Sequence, residues 1–219
     1  MKRIIVVGAG GFAREVKWLI EELARTGAEL EFRGFVVSDL SRLSEHDSRA
    51  EVLGDLQWLA KHRDEFDGLA LGIGTPAARL RVAEELEVSF GPELWPVLIH
   101  PTVQFDRKTL QVAHGALLCA GVIGTVNLEV GAFALVNLAC TLGHEAKLGK
   151  ACVLNPTVSI SGGAEIGAGA LVGTGAQVLQ YVKVGVGATV GAGAVVNRDV
   201  APGTTVVGVP AKVLVNRSQ

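Results

Sequence analysis

Leu142-Gly143-His144-Glu145-Ala146-Lys147-Leu148-Gly149-Lys150-Ala151-Cys152-Val153-Leu154 returns a leucine at every sixth residue, and a small residue stands four positions after each of the first two. The register extends both ways. Val112, Leu118, Gly124, Val130 and Val136 precede it, and Ile160, Ile166, Val172, Val178, Val184, Val190 and Val196 follow. The second row is equally regular: Ala116, Ala134, Cys140, Ala146, Cys152, Ala164, Ala170, Ala176, Ala188 and Ala194, with Val or Leu elsewhere. A six-residue period fits neither the 3.6-residue helix nor a hairpin meander; it marks a parallel β-helix in which each coil stacks on the one below. Both rows are expected to point inward. Gly143, Gly149, Gly167, Gly173, Gly185 and Gly191 follow the aliphatic position, where a corner is expected to need backbone freedom. A purely architectural spacer would show the same repeat, so function has to be argued from a site.

Composition narrows the field. The chain has 219 residues, 49% of them hydrophobic, with 28 glycines and a formal net charge of −2. That is ample for a buried core. No concentrated basic face is present to neutralise phosphates, which argues against a nucleic-acid partner. The apolar start, Ile4 to Val7, breaks at a glycine turn followed by Arg14 and Glu15, unlike a signal peptide. No apolar stretch approaches the roughly 20 residues of a membrane span, so no span is expected. Cys119, Cys140 and Cys152 form no C-x-x-C pair, and two of them sit in the small inward row. They read as core residues in a reducing, cytoplasmic compartment.

Residues 1–98 follow another grammar. Strand-like runs (Ile4 to Val7, Phe32 to Val37, Leu69 to Ile73) alternate with helix-like ones (Phe12 to Arg25, Asp55 to Arg63, Pro76 to Glu87). This alternation implies a small Rossmann-like α/β domain with a parallel sheet, and ligands favoured outside the carboxyl ends of its strands. Trp95 to Pro101 connects it to a second domain, 99–219, whose tail from Pro202 leaves the register and is expected to cap the last coil.

Two constellations could carry chemistry. Gly8-Ala9-Gly10-Gly11-Phe12-Ala13 lies between a strand and a helix, where glycine lets backbone N–H groups approach a diphosphate at the helix N-terminus. Ser38 and Asp39 follow the second strand; Gly74, Thr75 and Arg79 follow the third. Together the three loops suggest a nucleotide-bearing ligand; each alone is equally a solvated turn. The second constellation is His144-Glu145, at a corner between inward Leu142 and Ala146 and therefore turned outward. An imidazole there can accept a proton near neutral pH, and a neighbouring carboxylate favours the imidazolium. An exposed pair without consequence is the alternative. Asn137 is placed near the same surface. His46, His62 and His114 have no metal-ligand spacing, so no metal is expected; His100-Pro101 is the more interesting leftover, which a linker turn explains as well.

These residues resemble the hexapeptide-repeat acyltransferases, within them the sialic-acid O-acetyltransferase-like group that includes N-acetyltransferases of nucleotide-linked 4-amino sugars. The likeness rests on the opening glycine loop, Leu98-Ile99-His100-Pro101, the uninterrupted hexads, Asn137 with His144-Glu145, and Gly208-Val209-Pro210-Ala211-Lys212. It implies a left-handed β-helix, a homotrimer, and acetyl-CoA in a groove between neighbouring solenoids. Three hexads then make one coil, so Gly162 and Gly163 stack on His144 and Glu145 and leave an open notch beside them for the substrates. His144 resembles the family's general base and Glu145 its partner; Gly10, Gly11, Phe12, Ser38 and Asp39 fall where the amino-sugar nucleotide is held, and Thr174 and Ala192 where acetyl-CoA is met. Some members carry a second histidine where this chain has Val153, and Ser38 replaces an acidic residue common in the group. The activity implied is transfer of acetyl from acetyl-CoA to the amine of a nucleotide-linked sugar. Sugar O-acetylation, and a non-catalytic nucleotide-sugar-binding solenoid, are the alternatives.

Overall fold

The computed structural model describes residues 1–214 except for the side chain of Arg42; the last five residues of the domain expected over 99–219 lie outside the described residues. The chain opens with β1 (Lys2–Val7), α1 (Gly11–Arg25), β2 (Leu30–Val36), β3 (Val52–Gly54), α2 (Leu56–Lys61), β4 (Gly68–Leu71) and α3 (Pro76–Phe90). The four strands form a parallel sheet in the order β3-β2-β1-β4. Ile4 to Val7 are all buried, the continuous apolar run of a strand covered on both faces. Ala13, Val16, Leu19 and Ile20 make the buried stripe of α1, at helical spacing. Asp55 starts α2 by accepting from the N–H groups of Gln57 and Trp58. β3, short and at the sheet edge, has no counterpart in the sequence reading.

From Leu98 onward the chain winds into a three-sided parallel β-helix of two-residue strands. One face carries Leu98–Ile99, Leu117–Leu118, Leu135–Val136, Val153–Leu154, Leu171–Val172 and Thr189–Val190. A second carries Ile123–Gly124 to Val195–Val196, and a third Gln111–Val112 to Lys183–Val184. Partners lie one coil apart: Leu135 with Val153, Thr141 with Ser159, Lys147 with Glu165. Both predicted rows fill the interior as one buried cluster. Thr205–Val207 extends the first face, and Lys212–Val213 turns back against it antiparallel, so the tail lengthens that one sheet.

The corners correct one expectation. A left-handed φ recurs at every sixth residue from Gly115 to Gly193, and the position is occupied by Asn127, Phe133, Ala139, Glu145, Ala151, Thr157 and Tyr181 as well as by glycine. The glycines that follow the aliphatic row are not in that conformation. They are required because the next coil passes too close: a Cβ on Gly149 would lie 2.5 Å from the Ala168 nitrogen, and one on Gly167 2.5 Å from that of Val186. Freedom of φ and absence of a side chain are thus demanded at different positions of the same hexad.

The α/β unit sits on the first face. There the outward residues Leu117, Leu135 and Val153 are buried and pack with Leu171 against Ile4, Val6, Ala13, Val16 and Leu19. On the third face the outward row is Gln111, Glu129, Lys147, Glu165 and Lys183, with Lys147–Glu129 and Lys183–Glu165 ion pairs at 2.9 and 3.1 Å. Trp95 meets Phe133 edge to face at 5.0 Å. Arg79, expected to hold substrate, lies wholly buried at this interface instead. Its Nε donates to the Phe133 carbonyl at 2.6 Å, and its Nη1 to those of Leu71 and Ile73 at 3.1 and 2.9 Å. Burial lowers its pKa to about 10, so the guanidinium stays charged at neutral pH. The three cysteines are free and buried; burial pushes the thiols of Cys119, Cys140 and Cys152 up to about 12, 11 and 12.

Two substitutions test this packing by thermal denaturation. Gly149→Ala is expected to cost about 1–3 kcal/mol, because backbone rather than a movable side chain blocks the new methyl. Gly187→Asn, at φ +63° with nothing within 4 Å, is expected to stay within about 1 kcal/mol of the parent. Equal melting temperatures for the two would contradict the distinction. Arg79→Met strands three carbonyls and should lower stability by about 2–5 kcal/mol, roughly 2–4 °C of melting temperature for each kcal/mol. Arg79→Lys should not restore it, since one ammonium cannot span all three acceptors.

Candidate active site

The carboxyl ends of β1, β2 and β4 enclose a cavity of about 340 Å³, lined by Gly8, Phe12, Ser38, Asp39, Gly74 and Arg81 among others. Five expected substrate residues are therefore brought together where an open α/β sheet places its ligand. Gly8 has φ +127°, and a Cβ there would lie 2.8 Å from the Gly72 carbonyl oxygen, so the turn closes tightly over β4. Asp39 accepts from the N–H and Oγ of Ser41 at 2.9 and 2.6 Å, which fixes its carboxylate at the rim.

Three other expected residues of the α/β unit do not line that cavity. Arg79 is engaged at the domain interface, as described above. Gly10 and Gly11 open α1, but the site for an anion there is already filled by the chain itself. The Gly10 N–H donates to Asp47 Oδ1 at 3.1 Å, Arg14 donates to the same oxygen, and Ser44 donates to Oδ2 through its N–H and Oγ at 2.7 and 2.8 Å. Burial pushes the Asp47 carboxyl up, but these four donors outweigh it and hold it below the usual carboxylate range. Asp47 is a loop residue far from the glycine turn in sequence, and no local motif announces it. Helical spacing marks Arg81 as well: Arg79, Ala83 and Leu86 share the buried stripe of α3, and Arg81 stands with Ala78 and Val82 on the face lining the cavity.

On the β-helix, His144 stands at the edge between the second and third faces with its side chain 54% exposed, outward as expected. Glu145 holds the left-handed corner at φ 62°, and its Oε2 lies 3.7 Å from His144 Nδ1. This separation suits charge attraction and is too long for a direct hydrogen bond. Gly162 and Gly163 do stack on the pair, as one-coil spacing requires, but the notch is not empty. A Cβ on Gly162 would fall 2.3 Å from His144 Nε2, and one on Gly163 2.5 Å from the Tyr181 ring. The first glycine gives room to the imidazole itself, and the second to an exposed tyrosine one coil further on. Tyr181 could have been found by adding one coil to Gly163.

Asn137, Thr174 and Ala192 lie on a different edge, between the first and second faces, one side of the prism away from His144. The Asn137 side chain is nearly buried and accepts from the Leu138 N–H at 2.8 Å. Val153 is fully buried under the α/β unit, so the position of the second family histidine serves domain packing here. His100 is buried beside Trp18 and pairs with Thr102 Oγ1 at 2.9 Å; His114 meets Glu87. A shallower groove of about 750 Å³ runs up the third face between its charged row and Gly131, Gly149, Gly167 and Gly185, and contains none of the expected site residues. Among the described residues no helix is long and apolar enough to cross a membrane.

Residues 3–86 match the family described as the PglD N-terminal domain. No curated protein matches the chain. A histidine-to-asparagine variant of perosamine N-acetyltransferase from Caulobacter crescentus, in complex with CoA and GDP-perosamine, superposes with a TM-score of 0.84 at 26% identity, over 99% of this chain and 98% of its own. The acetyltransferase domain of PglB from Neisseria gonorrhoeae, in complex with acetyl coenzyme A, gives 0.84 at 27% identity over 97% and 99%. WeeI from Acinetobacter baumannii gives 0.79 at 26% over 98% and 100%. Residues 3–86 thus resemble the PglD N-terminal domain, and the chain continues into a left-handed hexapeptide β-helix on the plan of these solved structures.

Proposed function

We propose that the protein is an acetyl-CoA-dependent N-acetyltransferase acting on the amine of a nucleotide-linked amino sugar. The observation that carries this reading is the coexistence, on one chain, of a nucleotide-sized cavity at the carboxyl end of a parallel sheet and an outward histidine on a β-helix edge. Whole-length similarity to proteins crystallised with CoA and GDP-perosamine supports it. Three unpaired, buried thiols agree with a reducing, cytoplasmic setting.

In this reading the sugar amine attacks the thioester carbonyl while His144 takes a proton from the attacking nitrogen. The C–N bond forms, the C–S bond breaks, and the CoA sulfur leaves with the proton returned from the imidazolium. Glu145 Oε2 stands beside the ring, 3.7 Å from His144 Nδ1. A placed base contributes on the order of 10² to 10⁴-fold, and holding two substrates in line contributes further.

The division of the expected residues between two edges supports a homotrimer. Asn137, Thr174 and Ala192 on one edge meet His144 and Gly162 on the other only if one copy's first edge lies against its neighbour's second. Such a head-to-tail contact uses two different patches, and it closes into a ring of three where each copy is rotated by a third of a turn. Acetyl-CoA then lies between adjacent prisms, held along the edge that carries Thr174 and Ala192.

His144→Ala is expected to lower kcat by about 10² to 10⁴-fold with an unchanged melting temperature, measured as CoA release with GDP- and UDP-linked amino sugars. Turnover near the parent rate would remove the base assignment. Gly162→Ala, which expels the ring from its seat, should lower kcat in the same assay. Sedimentation equilibrium should give three times the 22.8 kDa chain. A fully active monomer would end the shared-site arrangement.

A further inference from the structure

We infer that the phosphates of the bound nucleotide are held on the α3 wall of the N-terminal cavity by Arg81, and not by the glycine turn at the start of α1. The inference deepens the proposed function and rests on it. A sugar-linked nucleoside diphosphate brings two negative charges, which a site answers with cations and free N–H donors. Among the described residues only two charged side chains line the cavity, Asp39 and Arg81. The Asp39 carboxylate repels phosphate and is already accepting from Ser41, which leaves it to the hydroxyl-bearing part of a nucleotide.

The α1 end, the usual place for a dinucleotide phosphate, is closed in this protein. Asp47 takes the Gly10 N–H and neutralises Arg14, and its side chain is only 7% exposed in that seat. A phosphate arriving there would have to displace a carboxylate held by four donors. The opposite wall is different. Ala78, Arg81 and Val82 project from one face of α3 into the cavity, and Arg81 makes no ion pair among the described residues. Helix α3 has no acidic residue in its first turn, and Thr75 makes no capping bond from its side chain. Arg81 is therefore a cation on this wall without an ion-pair partner among the described residues, whereas on the α1 wall Arg14 is answered by Asp47 within the chain.

The test measures dissociation constants of GDP and UDP by calorimetry for the parent, Arg81→Ala and Asp47→Asn. Losing one charged hydrogen-bonding partner should weaken whichever diphosphate binds by roughly 10 to 100-fold in Arg81→Ala. Asp47→Asn should change it by less than about threefold. The Arg81 contribution should shrink as salt is raised, because the side chain is exposed. Unchanged diphosphate affinity in Arg81→Ala overturns the inference, all the more if Asp47→Asn binds more tightly, since that places the phosphates at α1. Failure of the parent to bind either diphosphate would instead refute the nucleotide-cavity reading, and this inference with it. Arg81 is exposed and carries no packing role, so its replacement leaves the fold in place for the measurement.

Discussion

The ladder that joins each coil to the next, one turn apart, is the constraint on which everything else depends. Parallel pairing one coil apart lets each two-residue strand hydrogen-bond on both sides, as in Leu135 between Leu117 and Val153. To keep that ladder, the chain must turn at every sixth residue through a left-handed corner, and seven non-glycine residues accept that conformation. Each such corner carries a strain on the order of 1 kcal/mol or more, tolerated because the bonds above and below over-determine it. Glu145 and Tyr181 are two of these corners, so the geometry beside His144 follows from the winding itself.

The same stacking explains why glycine and aromatic residues meet at the edges. At three edge positions a ring lies over the place that a Cβ one coil away would occupy, and a glycine stands there. His144 on Gly162, Tyr181 on Gly163 and Phe133 on Gly115 are three instances of one rule. Phe133 is turned toward the α/β unit, where Trp95 and Arg79 receive it; His144 is turned toward solvent. Ring-over-glycine stacking therefore serves packing at one edge and leaves an imidazole exposed at another.

Arg79 links the two units in a way that bears on the site. It ties the carbonyls of Leu71 and Ile73, at the end of β4 beside the cavity, to that of Phe133 on the β-helix. A buried cation answered only by carbonyl dipoles is a costly arrangement, and here Nε and Nη1 are satisfied while Nη2 is buried with no hydrogen-bond partner. It connects the wall of the cavity at the sheet's carboxyl end directly to the β-helix. The apolar outward row of the first face completes the seat, and Val153 belongs to that row.

Periodicity alone determined the β-helix, its two inward rows and the outward placement of His144, because a six-residue repeat leaves a side chain no choice of direction once its neighbours are buried. Alternating runs likewise determined the α/β unit and the loops at its strand ends, including Ser38, Asp39 and Gly74. Tertiary structure decided the rest. That Asp47 seals the α1 end, that Arg79 is a clasp while Arg81 faces the cavity, and that Asn137 and His144 stand on different edges are all consequences of which distant segments touch. Such contacts depend on the three-dimensional path of the chain, and a one-dimensional pattern carries the period of a repeat but not what is folded against it.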